Sequence, residues 1–341
     1  MTLSSNSDTA SNLPIALDAM GGDHMPDAAL DGATKAHALG IPIILVGDEA
    51  VLAPKLEQRG LDIAVHHAED VIGMDEAASD VRRRRDSSIM QTCGLVKAGT
   101  ASACVSMGHS GATMASALLQ LGRIKGVDRP AIAANIPTAT GFVLLLDAGA
   151  NADCRPRHLQ QFALMGSLYS EAMFEVTNPS VGLISIGEED DKGNELTKDA
   201  FALLKETPQL NFYGNVEGRD LFKHTTDVMI TDGFTGNVML KLAEGEAKEL
   251  FSWIKDALMS NWRSKLGAML AKPALKQVAN MLDPAEYGAQ PLLGVNGYAF
   301  IGHGSADERA VLNALKTVHR AVQTNFLSDM HELIAKTLQK T

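Results

Sequence analysis

Short apolar runs alternate with longer amphipathic stretches along most of the chain. The runs at 13–19 (LPIALDA), 41–47 (IPIILVG), 62–67 (DIAVHH), 102–108 (SACVSMG) and 141–149 (GFVLLLDAG) have the length and continuity of strands buried on both faces. So do 181–187 (VGLISIG), 210–215 (LNFYGN), 227–233 (DVMITDG) and 297–302 (GYAFIG). Helical stretches separate them, as strand–helix–strand crossovers require. The pattern predicts a single α/β domain over 13–341, a three-layer α/β/α sandwich around a mostly parallel sheet. Residues 1–12, rich in Ser, Thr and Asn, are expected to form a loose tail. One segment departs from the alternation. From about 250 to 282 no strand run occurs, and Phe251, Ile254, Leu258, Trp262, Leu266 and Leu270 recur in steps of three and four, the mark of one helical face. Five basic residues (Lys255, Arg263, Lys265, Lys272, Lys276) stand there against one acid, Asp256, so this segment is expected to project from the sheet layers as a basic, apolar-striped helical element.

Composition narrows the function. The charge sum of −11 and an aromatic fraction of 5% speak against nucleic acid as a partner, because polyanions are repelled and stacking platforms are scarce. Three cysteines without CxxC or Cys/His spacing (Cys93, Cys104, Cys154) support neither a disulfide framework nor a zinc site. The polar start lacks signal-peptide order and no apolar stretch is long enough to span a bilayer, so a cytoplasmic location is expected. Neither a cofactor nor a metal is implied: GxGxxG with its partner acid and the Walker A string are both missing.

Candidate chemistry lies where strands end. Asp18 closes a strand and is followed by Gly21, Gly22 and Asp23, with Pro26 suited to a first helical turn. Gly108 and Gly111 flank His109, with Ser110 as the expected N-cap. A third junction carries Asp147, Gly149 and Asn151; a fourth carries Lys192, Gly193 and Asn194; a fifth carries Asp232, Gly233, Phe234, Gly236 and Asn237. In a parallel sheet such loops gather at one edge, where helix N-termini offer unpaired N–H groups to an anion. Five glycine-bearing junctions point to phosphate or another small anion. The run VRRRRDSS (81–88) is either a solvated face or a surface for an acidic partner, with Ser87 and Ser88 capping the next helix.

The strings DAMGGD, GRIKGVDRPAIA, LDAGAN, IGEEDDKGNELTK, NVEGRD and TDGFTGN follow one another in the order and spacing of one family. From about Leu13 to Val322 the chain resembles the phosphate acyltransferases of bacterial phospholipid synthesis (acyl-ACP:phosphate acyltransferases, PlsX). The resemblance implies a sandwich like that of isopropylmalate and isocitrate dehydrogenases, and similarity to phosphotransacetylases. It also implies a homodimer that converts acyl-acyl carrier protein (acyl-ACP) and inorganic phosphate into acyl phosphate for a membrane glycerol-3-phosphate acyltransferase. Membrane-surface contact through 250–276 would fit that place. Phosphate attack on a thioester needs no strong base, since phosphate is anionic at neutral pH and a thiol leaves as thiolate. Lys192 is then assigned to phosphate or oxyanion charge and Asn237 to the reacting carbonyl or phosphate; Asp18, Gly21, Gly22, Asp23, Gly108, His109, Ser110, Gly111, Asp147, Asn151, Asn194, Asp232, Gly233, Phe234 and Gly236 would bind substrate. One departure stands out: His109-Ser110 occupies the place where the family usually has Asn-Thr. The alternatives are a short-chain phosphotransacetylase using acyl-CoA and a non-catalytic carrier or membrane adaptor.

Overall fold

A computed structural model describes residues 12–338, so 1–11 of the expected tail lie outside the described residues. Most of the strands are buried on both faces, while the two at the sheet edges, Ala64–His67 and Asn211–Val216, are partly exposed. In chain order the strands are β1 (Ile15–Asp18), β2 (Ile43–Gly47), β3 (Ala64–His67), β4 (Ala103–Ser106), β5 (Ala131–Thr138), β6 (Gly141–Leu146), β7 (Ser180–Ile184), β8 (Asn211–Val216), β9 (Val228–Ile230), β10 (Gln290–Leu293) and β11 (Tyr298–Ile301). The helices are α1 (Asp27–Ala38), α2 (Glu49–Arg59), α3 (Ser88–Lys97), α4 (Ser110–Gln120), α5 (Pro156–Phe174), α6 (Glu195–Lys205), α7 (Gly233–Met259), α8 (Trp262–Met281), α9 (Glu308–Thr324) and α10 (Phe326–Leu338).

The strands form one sheet in the order β3-β2-β1-β4-β11-β10-β5-β6-β9-β7-β8. Seven neighbouring pairs are parallel and three, β11/β10, β10/β5 and β5/β6, are antiparallel. The mostly parallel sandwich is therefore as expected, but the gathering of every junction at one edge is not. Three successive reversals make β6, β9 and β7 run opposite to β1, β4 and β11, so their exit loops leave in opposite directions. The strands responsible, β5 and β10, are the two that the apolar runs do not reveal. Both contain proline, which weakens a strand reading, and β10 has only four residues.

Side chains alternate between two cores. Ile15, Leu17 and Val105 face one side and belong to one core with Leu30, Leu52, Phe162, Phe201 and Leu315. Phe326 anchors α10 there, edge-on to Tyr169 and Tyr298 at 5.3 and 5.1 Å. On the other side Ile132, Ala134, Ile136 and Leu145 share a core with Ile89, Cys93 and Ala117 of α3 and α4 and with Leu240 of α7. Cys93 and Cys104 are buried in this core with their sulfurs 3.6 Å apart, as small apolar residues.

The 250–282 segment falls on the end of α7 and the whole of α8. The stripe from Phe251 to Leu270 is divided by a turn at Ser260–Asn261, where Asn261 Oδ1 accepts the Ser264 N–H and starts α8. None of the side chains of α8 is buried, and Trp253, Trp262, Leu266 and Leu270 stand exposed. In the arginine run, Arg84 is not a surface contact: it reaches both carboxylate oxygens of Asp70, Glu76 and the Val71 carbonyl. That ties down the loop before α3. Arg82, Arg83 and Arg85 remain exposed. Ser87 takes the N-cap position of α3 without a side-chain cap, its hydroxyl donating instead to Arg84 O.

Candidate active site

The junctions after β1 and β4 touch. Asp18 is buried; its Oδ1 accepts the N–H groups of Met20 and Gly21 at 3.2 Å, and its Oδ2 accepts Ser106 Oγ at 2.7 Å. Ser106 Oγ in turn accepts Gly108 N at 3.0 Å. Burial lifts the Asp18 carboxyl above its usual range, against the pull of these donors. A Cβ on Gly21 would come within 3.1 Å of Gly108 Cα, so the two loops can approach this closely only with glycine there. The N-cap of α4 is His109, not Ser110: its backbone is extended and its Nδ1 accepts Ala112 N at 3.2 Å, the position an asparagine oxygen would take. The Thr113 N–H bonds to His109 O, and the N–H groups of Ser110 and Gly111 at the head of the helix have no partner among the described residues.

The junctions after β6 and β9 also form one unit. Asp147 is fully buried and accepts five hydrogen bonds: from the N–H groups of Ile132, Gly149 and Ala150 on Oδ1, and from Asn151 N and Nδ2 on Oδ2, at 2.7–3.2 Å. Burial still raises its pKa. Asn151 also donates to Pro130 O at 2.7 Å and its carbonyl accepts Gly233 N at 2.8 Å. Asp232 caps α7 through Thr235 N and Oγ1, both at 2.8 Å. Asp18, Asp147, Asn151 and Asp232 thus have their polar groups engaged in building the loops. Gly236 lies so close to Asp147 O that any side chain would collide with it. Asn237, one residue on, projects free of any hydrogen-bond partner among the described residues.

The two units meet across a cleft of about 670 Å³ that Ser110 and Asp23 line from one side and Gly149 and Asn237 from the other. Its floor is the central antiparallel strands, with Ile132 and Ile136, and its apolar wall continues over Leu240, Leu250 and Leu282. This size suits an organic ligand. A sixth junction, Gly302–Ser305 after β11, also lines the cleft. His303 Nδ1 accepts Ser305 N at 3.3 Å and lies 2.8 Å from Ser305 Oγ, which leaves Nε2 as the ring nitrogen without a partner among the described residues. Sequence reasoning misses this junction, although the string IGHGS has the same strand–glycine–helix grammar as the others and its histidine is the signal that could have found it. Asn135, with an unpartnered Oδ1, is another polar group in the wall that the sequence does not single out, beside Lys241, Glu244, Tyr287 and Gln290.

Lys192 and Asn194 do not line the cleft. Asn194 caps α6 through Thr197 N at 2.9 Å. Lys192 is exposed and without an ion pair among the described residues, although Glu188 pairs with Arg219 and Asp190 with Lys205. Its loop leaves β7, which pairs in parallel with β9, so it runs beside the loop carrying Asn237. Phe234 is exposed at the head of α7. The acidic trio Glu188, Glu217 and Asp220 is internally salt-bridged by Arg219 and Lys223. Cys154 has its thiol pushed up to about 12 by burial first and by Asp147 second, so it is no nucleophile at neutral pH.

In architecture the chain is a phosphotransacylase-like α/β protein. It superposes on a phosphotransacetylase from Streptococcus pyogenes with a TM-score of 0.62 at 16% identity, covering 93% of this chain and 96% of that one. A branched-chain phosphotransacylase from Enterococcus faecalis V583 gives 0.58 at 13% identity, covering 90% and 99%. At such identities the likeness is one of fold. Sequence carries the family: residues 13–329 match the family described as "Fatty acid synthesis protein". The chain is 54% identical over 321 residues to a phosphate acyltransferase of Thermus thermophilus, covering 94% of this chain and 98% of the relative. It is 51% identical over 328 residues to that of Elusimicrobium minutum, covering 94% and 96%. The chain belongs to the phosphate acyltransferase family, and its chemistry is acyl transfer.

Proposed function

We propose that the chain moves a long-chain fatty acyl group from acyl-ACP to inorganic phosphate, releasing the carrier thiol and forming acyl phosphate. The observation that carries this reading is the shared cleft: helix N–H groups and side-chain nitrogens without partners among the described residues, at one end of a long apolar wall. A phosphate oxygen attacks the thioester carbonyl carbon, the carbonyl oxygen takes up negative charge, and the C–S bond then breaks with the electron pair leaving on sulfur. The N–H groups of Ser110 and Gly111 hold phosphate by hydrogen bonds aligned with the helix dipole. Asn237 Nδ2 and His303 Nε2 donate to the oxyanion. Lys192, an exposed cation on the neighbouring loop outside the cleft lining, draws the incoming phosphate through its charge. The acyl chain lies along Ile132, Ile136 and Leu240.

A homodimer, a cytoplasmic location and hand-over of product to a membrane glycerol-3-phosphate acyltransferase belong to the same reading. The α7–α8 hairpin, with exposed Trp253, Trp262, Leu266 and Leu270 among basic residues, supports contact with a membrane surface. No helix among the described residues is long and apolar enough to cross a membrane.

The test is acyl phosphate formation by the purified protein from palmitoyl-ACP, compared with acetyl-CoA. Turnover of palmitoyl-ACP is expected; exclusive use of acetyl-CoA would make the protein a short-chain phosphotransacetylase, and no turnover of either a carrier adaptor. Lys192→Ala is expected to raise KM for phosphate by about tenfold at low ionic strength, and by less as salt rises. An unchanged phosphate KM would remove Lys192 from the mechanism.

A further inference from the structure

An exposed positive face without large apolar side chains comes from two segments far apart in sequence. The loop from α4 to β5 contributes Arg123, Lys125 and Arg129, and the head of α5 contributes Arg155 and Arg157; all five are exposed. Asp128 and Asp153 are the acids of these segments, which leaves a local +3 on a chain of net −11. Asp128 is engaged, pairing with Arg157 at 3.1 Å while its carbonyl accepts the Arg123 guanidinium. Lys125, Arg129 and Arg155 have no carboxylate partner among the described residues.

The face is rigid and adjoins the reaction loops. Gln161 of α5 accepts Asp128 N at 2.8 Å and donates to Gly126 O at 2.9 Å, pinning the loop to the helix. Burial first, and then the positive charge of Arg129, Arg155 and Arg157 against an opposing Asp128, hold the His158 imidazole below its usual range, so these side chains cluster around one ring. The segment carrying Arg155 begins at Ala148 and Gly149, which line the cleft, and Asn151 bonds to both Pro130 and Gly233.

We propose that this face docks an acidic carrier protein and presents its thioester to the cleft. The inference deepens the carrier-dependent reading above and rests on it. Single charges spread over two segments match the dispersed carboxylates of a protein surface, whereas a free phosphate needs donors converging on one point. An anionic membrane fits less well: among the described residues, none of the exposed large apolar side chains belongs to 122–130 or 151–157, and a membrane foothold needs apolar area.

The test is the double variant Arg129→Glu, Arg155→Glu, assayed with palmitoyl-ACP and separately with palmitoyl-pantetheine, an uncharged thioester. Expected is a fall of about tenfold or more in kcat/KM for the carrier substrate at low salt, narrowing as ionic strength rises, with palmitoyl-pantetheine turnover unchanged. An equal fall with both substrates would mean that the face shapes the reaction site or gathers phosphate, and would overturn the proposal. So would unchanged carrier kinetics, or loss of binding to phosphatidylglycerol vesicles alone. Thermal melting checks folding, and Lys125→Glu, a single change on the exposed loop, serves if the double variant does not fold. Failure of the two readings is separable. A wild-type enzyme that consumes palmitoyl-pantetheine but refuses palmitoyl-ACP ends both, and a carrier-competent enzyme indifferent to the substitutions ends this one alone.

Discussion

Replacing Asn237 by alanine is expected to lower kcat by about 10²–10³-fold, the cost of losing one oxyanion donor, while melting behaviour stays near that of the parent. The expectation follows from where the side chain stands. Gly236 and Gly149 are packed tightly around Asp147 and Asn237, so the backbone of the first turn of α7 is fixed, yet the Asn237 amide makes no hydrogen bond among the described residues that its removal would break. Its loss should therefore appear in turnover and not in stability. A variant with near-normal kcat would remove Asn237 from the reaction; one that unfolds would make it a structural residue. Steady-state kinetics with saturating phosphate, alongside thermal melting, separates these outcomes.

The second large effect belongs to Asp147. Asp147→Ala is expected to destabilise the fold by on the order of 4 kcal/mol, because five N–H donors in a buried loop lose their acceptor at once. The loss is less than five separate hydrogen bonds, since removing a buried carboxylate also removes its desolvation cost and water can enter the space. Asp147→Asn keeps one oxygen for Gly149 and Ala150 but turns an amide donor toward Asn151, so it should fall between the two. Denaturant unfolding measures both. A change below about 1 kcal/mol for the alanine variant would show that the loop holds its shape without the carboxylate.

The sheet was legible wherever strands are apolar and uninterrupted. Ile43–Gly47 and the Val143–Leu146 part of β6 advertise themselves because both faces are buried there. β5 and β10 were not legible. AIAANIPT is rich in small residues and ends near Pro137, and QPLL is too short to separate from a loop. Missing them cost the direction of half the sheet, because these two strands make the reversals. They are also the floor of the cleft, so the place where the two sets of loops meet could not be seen from the loops themselves. Residue types at the junctions were legible, but not which of them face outward. Asp18, Asp147 and Asp232 look like ligands in a sequence, and their burial and backbone partners turn them into scaffolding. The neighbour that engages His303 Nδ1 and leaves Nε2 unpartnered among the described residues is Ser305, a relation the sequence does not announce. The 250–282 segment shows the same limit: a continuous stripe of apolar steps cannot announce the turn at Ser260–Asn261, where a hydrogen-bonding cap and not hydrophobic period ends one helix and starts the next.

The most direct measurement is a crystal structure with inorganic phosphate and a palmitoyl-pantetheine amide, an analogue whose carbonyl is not cleaved. The expected result is phosphate on the N–H groups of Ser110 and Gly111, the amide oxygen about 2.7–3.2 Å from Asn237 Nδ2, and the acyl chain along Ile132 and Ile136. Phosphate and acyl carbonyl bound in separate places, with the cleft between Ser110 and Asn237 empty, would contradict it.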